Sequence, residues 1–153
     1  MVVTAFNRFV MMTIRYEINS TITVDEFLGL LDVSTLAERR PVDDLECIRG
    51  MLENSNLIVS AWDGSKLVGI ARSITDFHYA CYLSDLAVDL SYQRQGIGLK
   101  LQQITQDQLQ SHCKLILISA PSANDYYPNI GYQSSDRCWV LTRDRKCEMK
   151  PII

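Results

Sequence analysis

A strand-like run, Tyr82-Leu83-Ser84-Asp85-Leu86-Ala87-Val88, leads within a few residues to Gln93-Arg94-Gln95-Gly96-Ile97-Gly98, where a helical pattern opens. Strand, glycine turn and helix in that order constrain the fold more than any other feature. The glycines permit a sharp turn, and a helix start leaves backbone N–H groups without intrahelical partners. Such groups make an anion site, which phosphate oxygens can approach closely where side chains are missing. The backbone of Gln93, Arg94, Gln95, Gly96, Ile97 and Gly98 is therefore a candidate pyrophosphate cradle; the plainer alternative is an ordinary strand-to-helix turn. Two common phosphate loops do not fit. A dinucleotide fold wants a glycine where Leu101 stands and an acid about 20 residues further on, near the apolar run Leu115–Ile118. A nucleoside-triphosphate loop wants Gly-Lys-Ser/Thr, but Gly98 is followed by Leu99-Lys100-Leu101.

What remains is Gln/Arg-x-x-Gly-x-Gly/Ala after a strand ending in Leu-Ala-Val. With Leu86-Ala87-Val88-Asp89 and Tyr92-Gln93-Arg94-Gln95-Gly96-Ile97-Gly98, the chain resembles the GNAT superfamily of acetyl-CoA-dependent N-acyltransferases. A second element, Ala123-Asn124-Asp125-Tyr126-Tyr127-Pro128-Asn129-Ile130-Gly131-Tyr132, is similar to that family's Ala-x-x-Phe-Tyr-x-x-x-Gly-Phe segment. The resemblance covers roughly Ile58 to Thr142, and the N-terminal part matches only in pattern.

Composition sets the remaining bounds. A chain of 153 residues, 47% hydrophobic and 22% charged, fits one domain with a single core. A net charge of -3, without clustered Lys and Arg, argues against a nucleic-acid partner and leaves small molecules or proteins. Cys47, Cys81, Cys113, Cys138 and Cys147 lack C-x-x-C spacing, so no metal site is expected and the thiols read as reduced. Residues 1–12 read as an extension and not as a signal, and no apolar run approaches the ~18 residues of a membrane span. A cytoplasmic protein is the expectation.

Alternation at Thr13–Ile18 predicts a strand, and Thr23 with Glu26 forms a capping box for a helix ending near Ser34, with Val24, Phe27, Leu28 and Leu31 on one stripe. A second helix is predicted to open at Pro41, with Leu45, Ile48 and Leu52 facing the core; the acids Asp43, Asp44 and Glu46 are accounted for by the helix dipole. Strands Leu57–Trp62 and Leu67–Arg72 flank an Asp63-Gly64 hairpin signal. Then follow a strand Cys81–Val88, a helix from Gly96 to about Ser111 with Ile97, Leu101 and Ile104 inward, a buried strand Leu115–Ile118, a brief helix Asn124–Ile130 broken by Pro128, and a late strand Cys138–Thr142. This order matches the GNAT arrangement, an α/β (α+β) fold with a mixed, mostly antiparallel sheet flanked by helices on both faces.

The resemblance implies an enzyme that transfers acetyl from acetyl-CoA directly to a primary amine of a small molecule or peptide, and it allows a homodimer. Backbone groups of Leu86, Ala87 and Val88 would bind the pantetheine arm, and Gln93 to Gly98 the pyrophosphate, with Arg94 as a nearby charge. Tyr127 stands where the family places a tyrosine that protonates the coenzyme A thiolate, a task a phenol near pKa ~10 can perform. Tyr126 reads mainly as a packing residue beside the cofactor. Ala120 departs from the family's common Asn, so Asn124 is a candidate for that contact. Asp85 is either the general base or a structural acceptor. His78 and Tyr79 are candidates for the acceptor pocket, and His112 reads as a packed or capping residue. No cysteine has a His partner at a recognisable spacing, which disfavours a covalent intermediate. The alternative from another class is a non-catalytic acyl-CoA-binding sensor or regulatory module. The acceptor would depend on the loops Leu36–Asp44 and Ser73–Ala80.

Overall fold

The computed structural model describes residues 13–149, so the reading of residues 1–12 as an extension lies outside the described residues. The chain forms two compact units, Met1–Ile118 and Ser119–Ile153.

The first unit carries a five-stranded sheet in the order β1-β2-β3-β4-β5, with β1 Arg15–Ile18, β2 Leu57–Asp63, β3 Lys66–Thr75, β4 Ala80–Val88 and β5 Lys114–Ile116. The pairs from β1 to β4 are antiparallel and β4 with β5 is parallel. Helices α1 (Val24–Val33) and α2 (Leu45–Glu53) cover one face, where Phe27, Leu30, Leu31 and Ile48 pack with Ile58, Trp62, Ile70 and Ala87. Helix α3 (Ile97–Asp107) covers the other, packing Ile97 and Leu101 on Val59, Ala61, Val68, Ala71 and Leu83. The mixed sheet with helices on both faces is the predicted architecture.

Local sequence explains most boundaries. Thr23 and Glu26 form the reciprocal capping box of α1, which stops at Ser34. Gly64, at φ +57°, closes the β2–β3 hairpin between the paired Asp63 and Lys66. The second helix departs from expectation. Leu36–Arg39 forms a 3₁₀ turn, and α2 opens only at Leu45, because the Asp44 carboxylate accepts from the Cys47 N–H at 2.9 Å and caps it there. Leu45 is consequently exposed rather than in the core, while Ile48 is buried and Leu52 half-buried. The strand expected at Leu115–Ile118 forms as β5, three residues long and paired, among the described residues, with β4 alone, so Ile116 and Ile118 are about half exposed rather than buried.

Two bulges set the side-chain faces. Register shifts between Ala61 and Trp62 and between Arg72 and Ser73 insert Val68 into β3 and Ser84 into β4 as extra residues. The second corrects a face assignment. Strict alternation puts Asp85 on one side with Leu83 and Ala87, but the bulge at Ser84 sends Leu83 to the α3 core and leaves Ala87 in the α1/α2 core.

In the second unit, Pro121–Ala123 and Tyr127–Ile130 are 3₁₀ turns rather than the single predicted helix. The ring of Pro128 removes a donor near the start of the second turn, and Gly131, at φ +97°, ends it. The predicted strand Cys138–Thr142 is absent. Trp139 is 90% exposed there, so strand propensity has neither a paired neighbour nor apolar burial to support it.

Candidate active site

The loop after β4 is built from its root upward. Asp89, 4% exposed, receives the Ser91 N–H at 2.9 Å and the Ser91 hydroxyl at 2.6 Å on Oδ1, and Lys66 Nζ at 2.7 Å on Oδ2. Burial alone would raise its pKa, but the hydrogen bonds from Lys66 and Ser91 outweigh it and hold the carboxyl below the usual range. The same ion pair raises the Lys66 pKa. Tyr92 donates to Asp63 Oδ2 at 2.7 Å, with Lys66 Nζ 5.1 Å from its ring centroid. The β2–β3 hairpin end thus braces the root of the loop.

Above that root, Gln93 Nε2 donates to the Val88 carbonyl at 3.0 Å and Gln95 Nε2 to Ser91 O at 3.4 Å. Arg94, exposed, and Gly96 hold left-handed backbone, at φ +60° and +82°. Such conformations help build anion-binding concavities. Gly96 caps α3 without a side-chain acceptor, so the first-turn N–H groups at Ile97 and Gly98 are left for another partner. A Cβ at Gly96 would meet nothing within 4 Å, and the approach to the loop is open there. These features fit a phosphate-bearing donor.

Strand β4 pairs with β5 only from Ala80 to Tyr82. Beyond that point no strand among the described residues pairs with this edge of Leu86, Ala87 and Val88, whose other edge is bonded to β3. An open backbone edge running into an uncapped helix start can bind an extended, amide-containing arm ending in phosphates.

Residues 32–140 match the family model of the acetyltransferase (GNAT) domain. The chain belongs to the GNAT acetyltransferase family. Acetyl-CoA is the acyl donor that goes with this family. Solved structures with the same fold include a GNAT family acetyltransferase of Streptococcus pneumoniae, at 21% identity and TM-score 0.63, covering 84% of this chain and 98% of that one. Another is an aminoglycoside acetyltransferase from an uncultured soil metagenomic sample in complex with sisomicin, at 21% identity and TM-score 0.60, covering 87% and 97%. A third is the aminoglycoside N-acetyltransferase AAC(6')-Iy in complex with CoA, at 14% identity and TM-score 0.66, covering 86% and 95%. No curated protein sequence matches this chain. At these identities the likeness to the solved structures is one of fold.

Against this GNAT frame, Asp85 has a definite environment. It is 1% exposed; Oδ1 accepts from Arg40 Nε at 2.6 Å, and Oδ2 accepts from Arg72 Nε. Arg72 also donates to Met51 O at 3.1 Å and to the Ser55 and Ser84 hydroxyls at 2.8 and 2.9 Å. Both carboxylate oxygens of Asp85 thus accept from guanidinium groups. Neither arginine was among the candidates read from the sequence. Arg72 had a legible signal, a cation in an otherwise apolar strand that must find a partner; Arg40 had none.

In the second unit, Tyr127 is half-buried and stacks edge-to-face with Tyr126 at 5.3 Å and Tyr132 at 5.4 Å. Burial, and secondarily Tyr126, pushes its phenol above 10.0. Asn124 Oδ1 accepts from the Ser119 hydroxyl at 3.0 Å, and Tyr126 is 38% exposed. His78 sits in the loop after β3, where Asp76 accepts three backbone N–H groups, from His78, Tyr79 and Ala80, that lower its pKa to about 2. Cys81 is fully buried, and burial raises its thiol pKa, which removes thiolate character. Among the described residues no group of three or more His, Cys, Asp and Glu could hold a metal ion, and no helix is long and apolar enough to cross a membrane.

Proposed function

We propose that the protein is an N-acetyltransferase that moves acetyl from acetyl-CoA directly to a primary amine of a small molecule or peptide. The observation that carries the reading is the continuity of the open β4 edge at Leu86–Val88 with the left-handed loop and uncapped start of α3. The edge orients the donor's arm, and the loop's N–H groups neutralise its phosphates, so the thioester is held in one place for attack. An N–H of the same edge would stabilise oxyanion charge as the amine adds.

Tyr127 is assigned as the acid that protonates the departing thiolate. Its raised pKa keeps the phenol protonated across the neutral range, as a proton donor requires. Asn124 and Tyr126 are assigned to the cofactor side by the family motif. Asp85 is assigned to structure, since both oxygens already accept from guanidinium groups; the amine then loses its proton to water or to the acceptor-side loops. The buried Cys81 thiol favours direct transfer over an acyl-cysteine intermediate. The family model runs across both compact units, which supports reading them as one acetyltransferase domain. Two related folds are described as aminoglycoside acetyltransferases, which supports a small-molecule amine as acceptor.

Calorimetric titration with acetyl-CoA, followed by thiol release against amines, polyamines, aminoglycosides, amino acids and peptides, tests the reading. Saturable binding with amine-dependent release is expected. Binding without release would favour a non-catalytic acyl-CoA sensor, and absence of binding would overturn the proposal.

A further inference from the structure

Between α1 and α2, the residue that ends the 3₁₀ turn Leu36–Arg39 reaches across to the central sheet. Arg40 donates from Nε to Asp85 Oδ1 at 2.6 Å, from Nη2 to the Ser84 carbonyl at 2.9 Å and from Nη1 to the Arg39 carbonyl at 2.8 Å. Its side chain is 19% exposed. Ser84 is the bulged residue of β4, and it lies just past Tyr82, the last residue paired with β5. Bulged residues lack a regular ladder partner and are points where a strand can shift. Here the carbonyl and the hydroxyl of the bulged residue are both held: Arg40 takes the carbonyl, and Arg72 takes the hydroxyl at 2.9 Å. The two cations are themselves fixed by sharing Asp85.

The roles of the arginines differ. Arg72 is 4% exposed and belongs to the same sheet, bonded also to the C-terminal end of α2 through Met51 and Ser55, so it is part of the core. Arg40 comes from the loop Leu36–Asp44, and its guanidinium ties that loop to β4. A planar fork donating in parallel to a carboxylate and a carbonyl fixes direction as well as distance, which an ammonium cannot do.

We propose that Arg40 is a positioning residue for acyl transfer: it clamps the bulge at Ser84 and so sets the open β4 edge relative to the Leu36–Asp44 loop. This inference rests on the acetyltransferase reading above. In this role Arg40 acts through Ser84 and Asp85, the residues it bonds, rather than on the reacting groups. Loosening the clamp should disturb the alignment of reactants more than the affinity for the donor, whose phosphates are held further along, at Gln93–Gly98.

The test compares wild type, Arg40→Met and Arg40→Lys by steady-state kinetics at a temperature well below each Tm, and by amide hydrogen exchange. Arg40→Met should lower kcat roughly tenfold or more while KM for acetyl-CoA changes less than about threefold. Exchange at Leu83–Val88 should quicken about tenfold, with Leu57–Asp63 unchanged. Arg40→Lys, which keeps the charge and loses the fork, should retain most of the defect. Unchanged kcat and exchange with only a lowered Tm would overturn the proposal, as would full rescue by lysine. Should the methionine variant fail to fold, the lysine variant alone decides between the same two results. If wild type releases no thiol with any amine, the acetyltransferase reading falls, and the exchange comparison still decides whether Arg40 clamps β4.

Discussion

Lys66 Nζ lies 2.7 Å from Asp89 Oδ2, joining the first residue of β3 to the residue that follows β4. The acid is buried and the lysine side chain half exposed, so the pair matters chiefly through what Asp89 does next: it holds the N–H and the hydroxyl of Ser91 and thereby shapes the loop root.

Asp89→Asn should therefore lower stability and weaken acetyl-CoA binding together. Because the folded-state pKa of Asp89 is depressed, its stabilising contribution is complete above the ordinary value of 3.8 and is lost as pH falls through the lower folded value. The Tm gap between wild type and variant should be widest near neutral pH and close below pH 3.8. A gap of constant width across a thermal-unfolding series in pH would count against this.

The two glycines Gly96 and Gly69 should respond to alanine for different reasons. At Gly96 a Cβ meets open space but φ is +82°, so the cost is backbone strain of about 1–2 kcal/mol. At Gly69 the Cβ would stand 3.1 Å from Leu101 Cδ1, 3.2 Å from Ile97 Cγ2 and 3.3 Å from Ala61 Cβ, a crowding cost of about 1–3 kcal/mol. Urea unfolding gives both costs; calorimetry should show weakened acetyl-CoA binding chiefly for Gly96→Ala.

Tyr127→Phe should bind acetyl-CoA almost as wild type does and lose turnover by about 10²–10⁴-fold. With the phenol's pKa pushed above 10.0, the midpoint of any loss of rate from its ionisation should lie above pH 10.0 in the wild-type profile. A phenylalanine variant with normal kcat would remove Tyr127 from the chemistry.

Arg72→Met should be the most damaging of these changes to stability. It strands the Asp85 carboxylate, 1% exposed, with one partner, and breaking a buried pair in this way costs about 3–5 kcal/mol. Equilibrium denaturation that reports less than about 1 kcal/mol would show that Arg40 and water satisfy the acid unaided.

Where the local code was strong, it was also sufficient. Thr23 with Glu26, and Asp63-Gly64, specify a helix start and a hairpin through bonds and torsions spanning three or four residues, and both stand where the sequence places them. Pro41 illustrates the limit: it permits a helix start, but the Asp44 side chain competes for the cap and wins, a choice made by one hydrogen bond. At Cys138–Thr142, β-branched and aromatic residues suggest a strand that is not formed, because strand propensity acts only through a neighbour and a buried face.

For this protein the sequence by itself determined the order of elements from β1 to β5, the two-faced sheet and the strand–glycine–helix unit proposed as the donor site, since each depends largely on residues close along the chain. Only the tertiary structure decided the surroundings of Asp85. Its partners, Arg40 and Arg72, are 45 and 13 residues away, and the bulge at Ser84 that orients it arises from the register between β3 and β4. Periodicity within one strand carries no record of the register with its neighbour, so neither the clamp nor the face it occupies could be read before the strands were paired.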